Sequence, residues 1–110
     1  MEITVADKDG IKLVHLIGSL DTNTSPNAEA KFKELLDGNT RKIVVNLEQL
    51  EYISSSGLRV FLGTAKKLKA SGGDLRLCHS NDIVQEVFDI SGFSSILNIF
   101  PTEEEARANF

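Results

Sequence analysis

The chain has 110 residues, the size of one domain and enough to bury a core without disulfides or metals. Apolar residues make up 41% and charged residues 25%, an ordinary balance for a globular protein with no low-complexity run. A net charge of −4 argues against general nucleic-acid binding by counterion release, and no stretch approaches the roughly 20 apolar residues of a membrane span.

The chain starts Met-Glu-Ile-Thr, with no basic segment followed by an apolar run, so a soluble, cytoplasmic protein is expected. Cys78 is the only cysteine. It has no internal partner, and one cysteine with two distant histidines makes no metal cluster. Following Leu75 and Leu77 in an expected strand, it reads as an inert, partly buried thiol.

Ile3 and Val5 alternate with polar or small neighbours and predict a first, edge strand. Asp9-Gly10 is a turn signal, and a second strand follows over Ile11 to Ile17, so the two are expected to form a hairpin. His15 shares the side of Leu13 and Ile17, where a packed or half-exposed histidine is expected.

Gly18 to Pro26 is a polar loop that ends in helix-start chemistry. Ser25 is expected to cap the helix, and Pro26 suits its first position. The helix is expected to run to about Leu36 and to bury Ala28, Phe32, Leu35 and Leu36. Arg41 to Leu47 forms the third strand. Its run Ile43-Val44-Val45 is apolar at every position, so both faces should be covered.

Leu47 and Leu50 then lead through a short turn to Tyr52-Ile53-Ser54-Ser55-Ser56-Gly57-Leu58. A helix is expected over about Ser56 to Ala70, with Leu58, Phe61, Leu62, Ala65 and Leu68 as its core face. Ser71-Gly72-Gly73 stops it. Asp74 to Cys78 is the fourth strand. Ser80 or Asn81 caps a third helix, whose Ile83, Val84, Val87, Phe88 and Ile90 are expected to point inward. Ser95 to Phe100 contains a last short strand or extended piece. Thr102-Glu103-Glu104-Glu105 is a capping box that opens a final helix. Strands and helices alternate after the hairpin, which predicts a mostly parallel sheet with helices packed on it.

A serine where a strand passes into a helix faces the positive end of the helix dipole, a favourable place for an anion, including a phosphate on the serine itself. Ser55 stands at or just before the helix start, with Arg59 about one turn on. A phosphate there would add a charge of roughly −2, meet the helix amides and Arg59, and be felt by any partner docking over the loop. The plainer reading is that these serines only cap the helix and turn the chain. Gly63 costs the helix about 1 kcal/mol relative to alanine. It either admits a partner closely or relieves crowding, and Val60 near that face is a candidate apolar contact. A hydrolase reading is weak: G-x-S-x-G is absent, and His79 is the one histidine placed after the serines.

Over its whole length the chain resembles the STAS-domain anti-sigma factor antagonists. The resemblance is carried by Gly18-Ser19-Leu20-Asp21, by Ile43-Val44-Val45-Asn46-Leu47, and by the serine segment from Tyr52 to Leu58. Lys69 through Gly73 and Phe88-Asp89-Ile90-Ser91-Gly92 add to it. The resemblance implies a single STAS domain over residues 1–110: an α/β fold with a four- to five-stranded mixed, mostly parallel sheet and helices mainly on one face. It implies a protein without catalytic activity or cofactor of its own that works by partner switching. The unphosphorylated form binds an anti-sigma factor that is also a serine kinase of the histidine-kinase-like ATPase fold, and so frees the sigma factor. Phosphorylation ends binding, and a PP2C-type phosphatase restores it. ATP and magnesium belong to the kinase.

The family motif reads Asp-Ser-Ser/Thr-Gly-Leu. Aligned on Gly57, the modified serine is Ser55, Ser56 takes the Ser/Thr place, and Ser54 stands where the family has aspartate. Asp21 matches the family's loop aspartate, which joins the partner surface. Arg59 holds a place often given to a smaller residue and is expected to tune partner choice. Asp21, Ser54, Ser56, Gly57, Arg59, Val60 and Gly63 are thus the expected partner-binding set around Ser55. The alternative within the fold is a STAS subunit that is never phosphorylated and serves as a scaffold in a transport or signalling complex.

Overall fold

The computed structural model describes residues 1–108 and Phe110. Strands β1 (Glu2–Lys8) and β2 (Ile11–Leu20) form an antiparallel hairpin, turned by Asp9 and Gly10, both at positive φ. Helix α1 (Ser25–Asp37) follows, then β3 (Lys42–Asn46), β4 (Leu50–Ile53) and helix α2 (Ser55–Ala70). Strand β5 (Asp74–Cys78), helix α3 (Asp82–Ser91), a 3-10 turn over Phe93–Ser95, strand β6 (Asn98–Phe100) and helix α4 (Glu103–Arg107) complete the described chain.

The sheet runs in the order β1-β2-β3-β5-β6, and every pairing after the hairpin is parallel. The sixth strand, β4, pairs in parallel with the end of β2, placing Leu20 opposite Ile53. A strand stands here where the sequence predicts a short turn. At four residues, β4 is too short to show a period of two, and only the end of β2 supplies the partner.

Both faces of the central strand β3 are covered, as its unbroken apolar run requires. Ile43 and Val45 belong to the larger core with α1, α2 and α3, whereas Val44 packs with Ile11, Leu13, Cys78 and Ala106 of α4 on the other side. One phenylalanine from each of the three helices forms a row in the larger core. Phe32 and Phe61 meet edge-on at 6.3 Å, and Phe61 and Phe88 lie 6.4 Å apart. Cys78 is fully buried, and burial pushes its thiol up to about 12, with the carboxylates of Glu103 and Glu48 adding to the rise.

Helix α3 departs from the expected pattern. Val84 and Phe88, four residues apart, are the buried pair, while Ile83 and Ile90 are 60% and 78% exposed. Both isoleucines lie more than a quarter turn around the helix from that pair at its spacing of about 100° per residue, so one narrow stripe cannot include them. Asn81 is the cap. Its Oδ1 accepts from the Val84 amide, and its Nδ2 donates to the Leu50 carbonyl, tying α3 to β4. Thr102 caps α4 as its capping box predicts, accepting from the Glu105 amide at 3.2 Å. Among the described residues, no helix is long and apolar enough to cross a membrane.

Candidate functional site

Two loops meet where β2 and β4 end side by side. The Ser54 amide donates to the Leu20 carbonyl at 2.8 Å, so Asp21 and Ser55 each stand one residue beyond a hydrogen-bonded contact. The close fit continues into α2. A Cβ at Gly57 would lie 2.7 Å from Leu20 Cγ and 2.9 Å from Ile53 Cγ1, closer than carbon atoms approach. Gly57 therefore lets the first turn of α2 rest directly on the side chains of both strands.

Ser54 is the N-cap of α2. Its backbone is extended, and its hydroxyl accepts from the Gly57 amide at 3.3 Å. Serine and aspartate are comparably good caps, so a serine at position 54 is sufficient to hold the helix start. Ser55 is the first helical residue and is exposed. With the capping task held by Ser54, the Ser55 side chain projects toward solvent at the positive end of a 16-residue helix.

The Asp21 loop is braced by its own short side chains. Asp21 Oδ1 accepts from the Asn23 amide at 2.9 Å and the Thr24 amide at 3.0 Å. Thr24 Oγ1 accepts from the Asp21 amide and donates to the Ser19 carbonyl. These bonds, that from the Thr24 amide foremost, hold the Asp21 carboxyl below its usual range. Ser25 does not cap α1 as expected. Thr24 occupies the cap position, and Ser25, already helical, donates its hydroxyl to the Asp21 carbonyl.

A groove runs from this junction between α1 and α2. A hollow of about 230 Å³ is lined by Thr22, Ser25, Glu29, Ser56, Arg59 and Val60. A second of about 170 Å³ continues past Lys33, Gly63, Thr64 and Lys67 and shares Glu29, Arg59 and Val60 with the first. Arg59 is exposed. Val60, expected as an apolar surface contact, is 5% exposed and serves as floor, anchored in the core. Gly63 is half-buried, and a Cβ there would meet nothing within 4 Å, so it relieves no crowding inside the domain. Glu29, Lys33 and Lys67 read in the sequence as solvated helix residues, with nothing to assign them to this site. They reach the groove only through the packing of α1 on α2, which no local pattern announces.

No hydrolytic arrangement is assembled around the serines. Among the described residues, neither histidine hydrogen-bonds Ser54, Ser55 or Ser56. His79 Nε2 accepts from the Glu103 amide at 3.1 Å, and His15 Nε2 lies 3.7 Å from Glu103 Oε1. Both histidines serve the start of α4.

The site is thus an exposed serine displayed at a helix start, beside a braced acidic loop and at the mouth of a groove between two helices. The STAS domain model matches residues 2–106, and the chain belongs to the STAS domain family. It is 39% identical over its full length to BtrV, a candidate anti-sigma factor antagonist of Bordetella bronchiseptica, covering 95% of that protein. It is 32% identical over 96% of its length to the anti-sigma F factor antagonist of Paenibacillus polymyxa, covering 92% of it. Among solved structures, the Bacillus cell fate determinant SpoIIAA in its phosphorylated form superposes with a TM-score of 0.73 at 26% identity, with 96% of each chain covered. The unphosphorylated form of the anti-sigma factor antagonist SpoIIAA also gives 0.73, at 23% identity over 94% of this chain and 92% of that one.

Proposed function

We propose that this domain is an anti-sigma factor antagonist that works by partner switching, with Ser55 as the phospho-acceptor. Unphosphorylated, it binds an anti-sigma factor that is also a serine kinase of the histidine-kinase-like ATPase fold, and the sigma factor is released. The kinase transfers the γ-phosphoryl group of ATP to Ser55 Oγ. The P–O bond to ADP breaks, the new bond to Oγ forms, and the hydroxyl proton leaves. The added charge sits in the middle of the docking surface, where desolvation and repulsion end binding. A PP2C-type phosphatase hydrolyses the phosphoserine and restores the binding form.

The observation that carries this reading is the placement of Ser55. It is exposed, released from capping by Ser54, and held beside Asp21 by the bond from Ser54 to Leu20. The names of the relatives support the anti-sigma role, and the two forms of SpoIIAA support a phosphorylation cycle on this fold. Asp21, Ser56, Arg59 and Gly63 supply the surface around Ser55 in this reading, whereas Ser54, Gly57 and Val60 shape it from beneath.

The test is affinity capture from a lysate of the native cell with two baits: the unmodified chain and a chain carrying genetically encoded phosphoserine at position 55. The proposal expects an ATPase-fold anti-sigma factor on the unmodified bait alone. Equal recovery on both baits, or none on either, contradicts it.

A further inference from the structure

Arg59 is the one arginine in the groove between α1 and α2. Among the described residues it makes no ion pair and no hydrogen bond. It lines both hollows, so it stands at the passage between the Ser56 end and the Lys33 and Lys67 end. Glu29 lines both hollows too but does not come within ion-pair distance of it. The other acid of the junction, Asp21, accepts the Asn23 and Thr24 amides on Oδ1 and makes no ion pair with Arg59. Position 54 carries a neutral serine.

Ser55 and Arg59 are four residues apart on one helix. Side chains at that spacing are neighbours, and a helical side chain leans toward the N-terminus, which aims Arg59 back at Ser55. A guanidinium matches a phosphate with a two-pronged, charge-assisted hydrogen bond.

We propose that a phosphate on Ser55 pairs with Arg59 and draws its guanidinium out of the groove, so that one modification changes the docking surface at two places. This inference rests on the reading of Ser55 as the phospho-acceptor. The phosphate adds negative charge at position 55, and the groove loses one of its three cations, leaving Lys33 and Lys67. An acidic side chain of a partner that faced Arg59 is then left without its counter-charge. Arg59 is thus a regulatory residue that links the groove to the modified serine.

The test uses the full chain with genetically encoded phosphoserine at position 55, followed by phosphorus NMR across the second phosphate ionisation at low salt. A neighbouring guanidinium favours the dianion, so the phosphoserine should lose its second proton about half a pH unit earlier than in R59Q, a roughly threefold change in proton affinity. R59K should recover part of the shift, and K67Q should leave it intact. In the unsubstituted chain, the Arg59 Nε–H resonance should move on phosphorylation while that of Arg41 stays. The proposal is overturned if R59Q titrates like the parent, or if K67Q shifts the ionisation as much as R59Q. Because the phosphate is installed and not made by a kinase, such a result leaves the partner-switching proposal standing. A Ser55 that no kinase modifies would overturn that proposal instead.

Discussion

Leu20 and Gly57 are in direct contact, and the fit leaves no room for a methyl group: a Cβ at position 57 would stand 2.7 Å from Leu20 Cγ. This contact joins the end of β2 to the first turn of α2, and it sets where Ser55 is presented relative to Asp21. Overpacking of a core costs about 1–3 kcal/mol. Gly57→Ala is expected to lose stability in that range, measured as a lower denaturant midpoint at unchanged slope. The double variant Gly57→Ala with Leu20→Ala should lose less stability than the two separate losses summed, because the second change opens the space that the first one needs.

Ser54 is expected to act as a cap first. Ser54→Ala should cost about 1 kcal/mol, whereas Ser54→Asp should keep the helix start close to its present stability. Urea unfolding of the two variants separates these outcomes. If Ser54→Ala is as stable as the parent, the cap is not what holds this turn.

Gly63 gives a prediction of the opposite sign. A methyl group there meets nothing in the domain, and alanine is favoured over glycine in a helix by about 1 kcal/mol. Gly63→Ala should therefore raise the unfolding midpoint. A fall would reveal a contact within the domain. A rise accompanied by weaker capture of the partner would assign the glycine to close approach at the groove.

The fold was readable from the sequence wherever a single element carried its own pattern. The Asp9-Gly10 hairpin, the doubly covered run Ile43-Val44-Val45 and the capping box at Thr102 needed no tertiary information. Strand β4 and the groove residues Glu29, Lys33 and Lys67 did, because each exists only by contact with a distant segment. At the candidate site, residue types singled out Ser55 and the family resemblance singled out Asp21, while the division of labour among the serines did not show. Three serines in a row are equivalent caps on paper, and only the backbone assigns that role to Ser54 and leaves Ser55 free. Ile83 and Ile90 failed for a related reason. Their spacing fits a helix, but β4 and the 3-10 turn leave only one narrow side of α3 to bury.

Acid should expose the role of Asp21. Its carboxyl is held below the ordinary value of 3.8, chiefly by the Thr24 amide. The folded state therefore binds this proton less tightly than the unfolded state. The resulting stability is full above the unfolded value and is lost as pH falls through the lower folded value. The stability difference between the parent and Asp21→Ala should be constant near neutral pH and shrink below about pH 4. A difference that does not change with acid would mean that the loop is braced by Thr24 alone.

Cys78 should be silent toward thiol reagents in the folded protein. It is fully buried, and its thiol is pushed up to about 12, so almost no thiolate exists at pH 8. Iodoacetamide labelling at that pH should proceed only at the rate of unfolding and become complete in denaturant. Rapid labelling of the native chain would contradict the packing of β5 against α4.

The central claim is that Ser55 alone accepts a phosphoryl group, and intact-mass measurement tests it most directly. The parent chain and Ser55→Ala would each be incubated with ATP, magnesium and native lysate. The account predicts one added phosphate on the parent and none on Ser55→Ala. Phosphate on Ser55→Ala, or none on the parent while a stable partner is still recovered from the same lysate, would contradict it and favour a scaffold that is never phosphorylated.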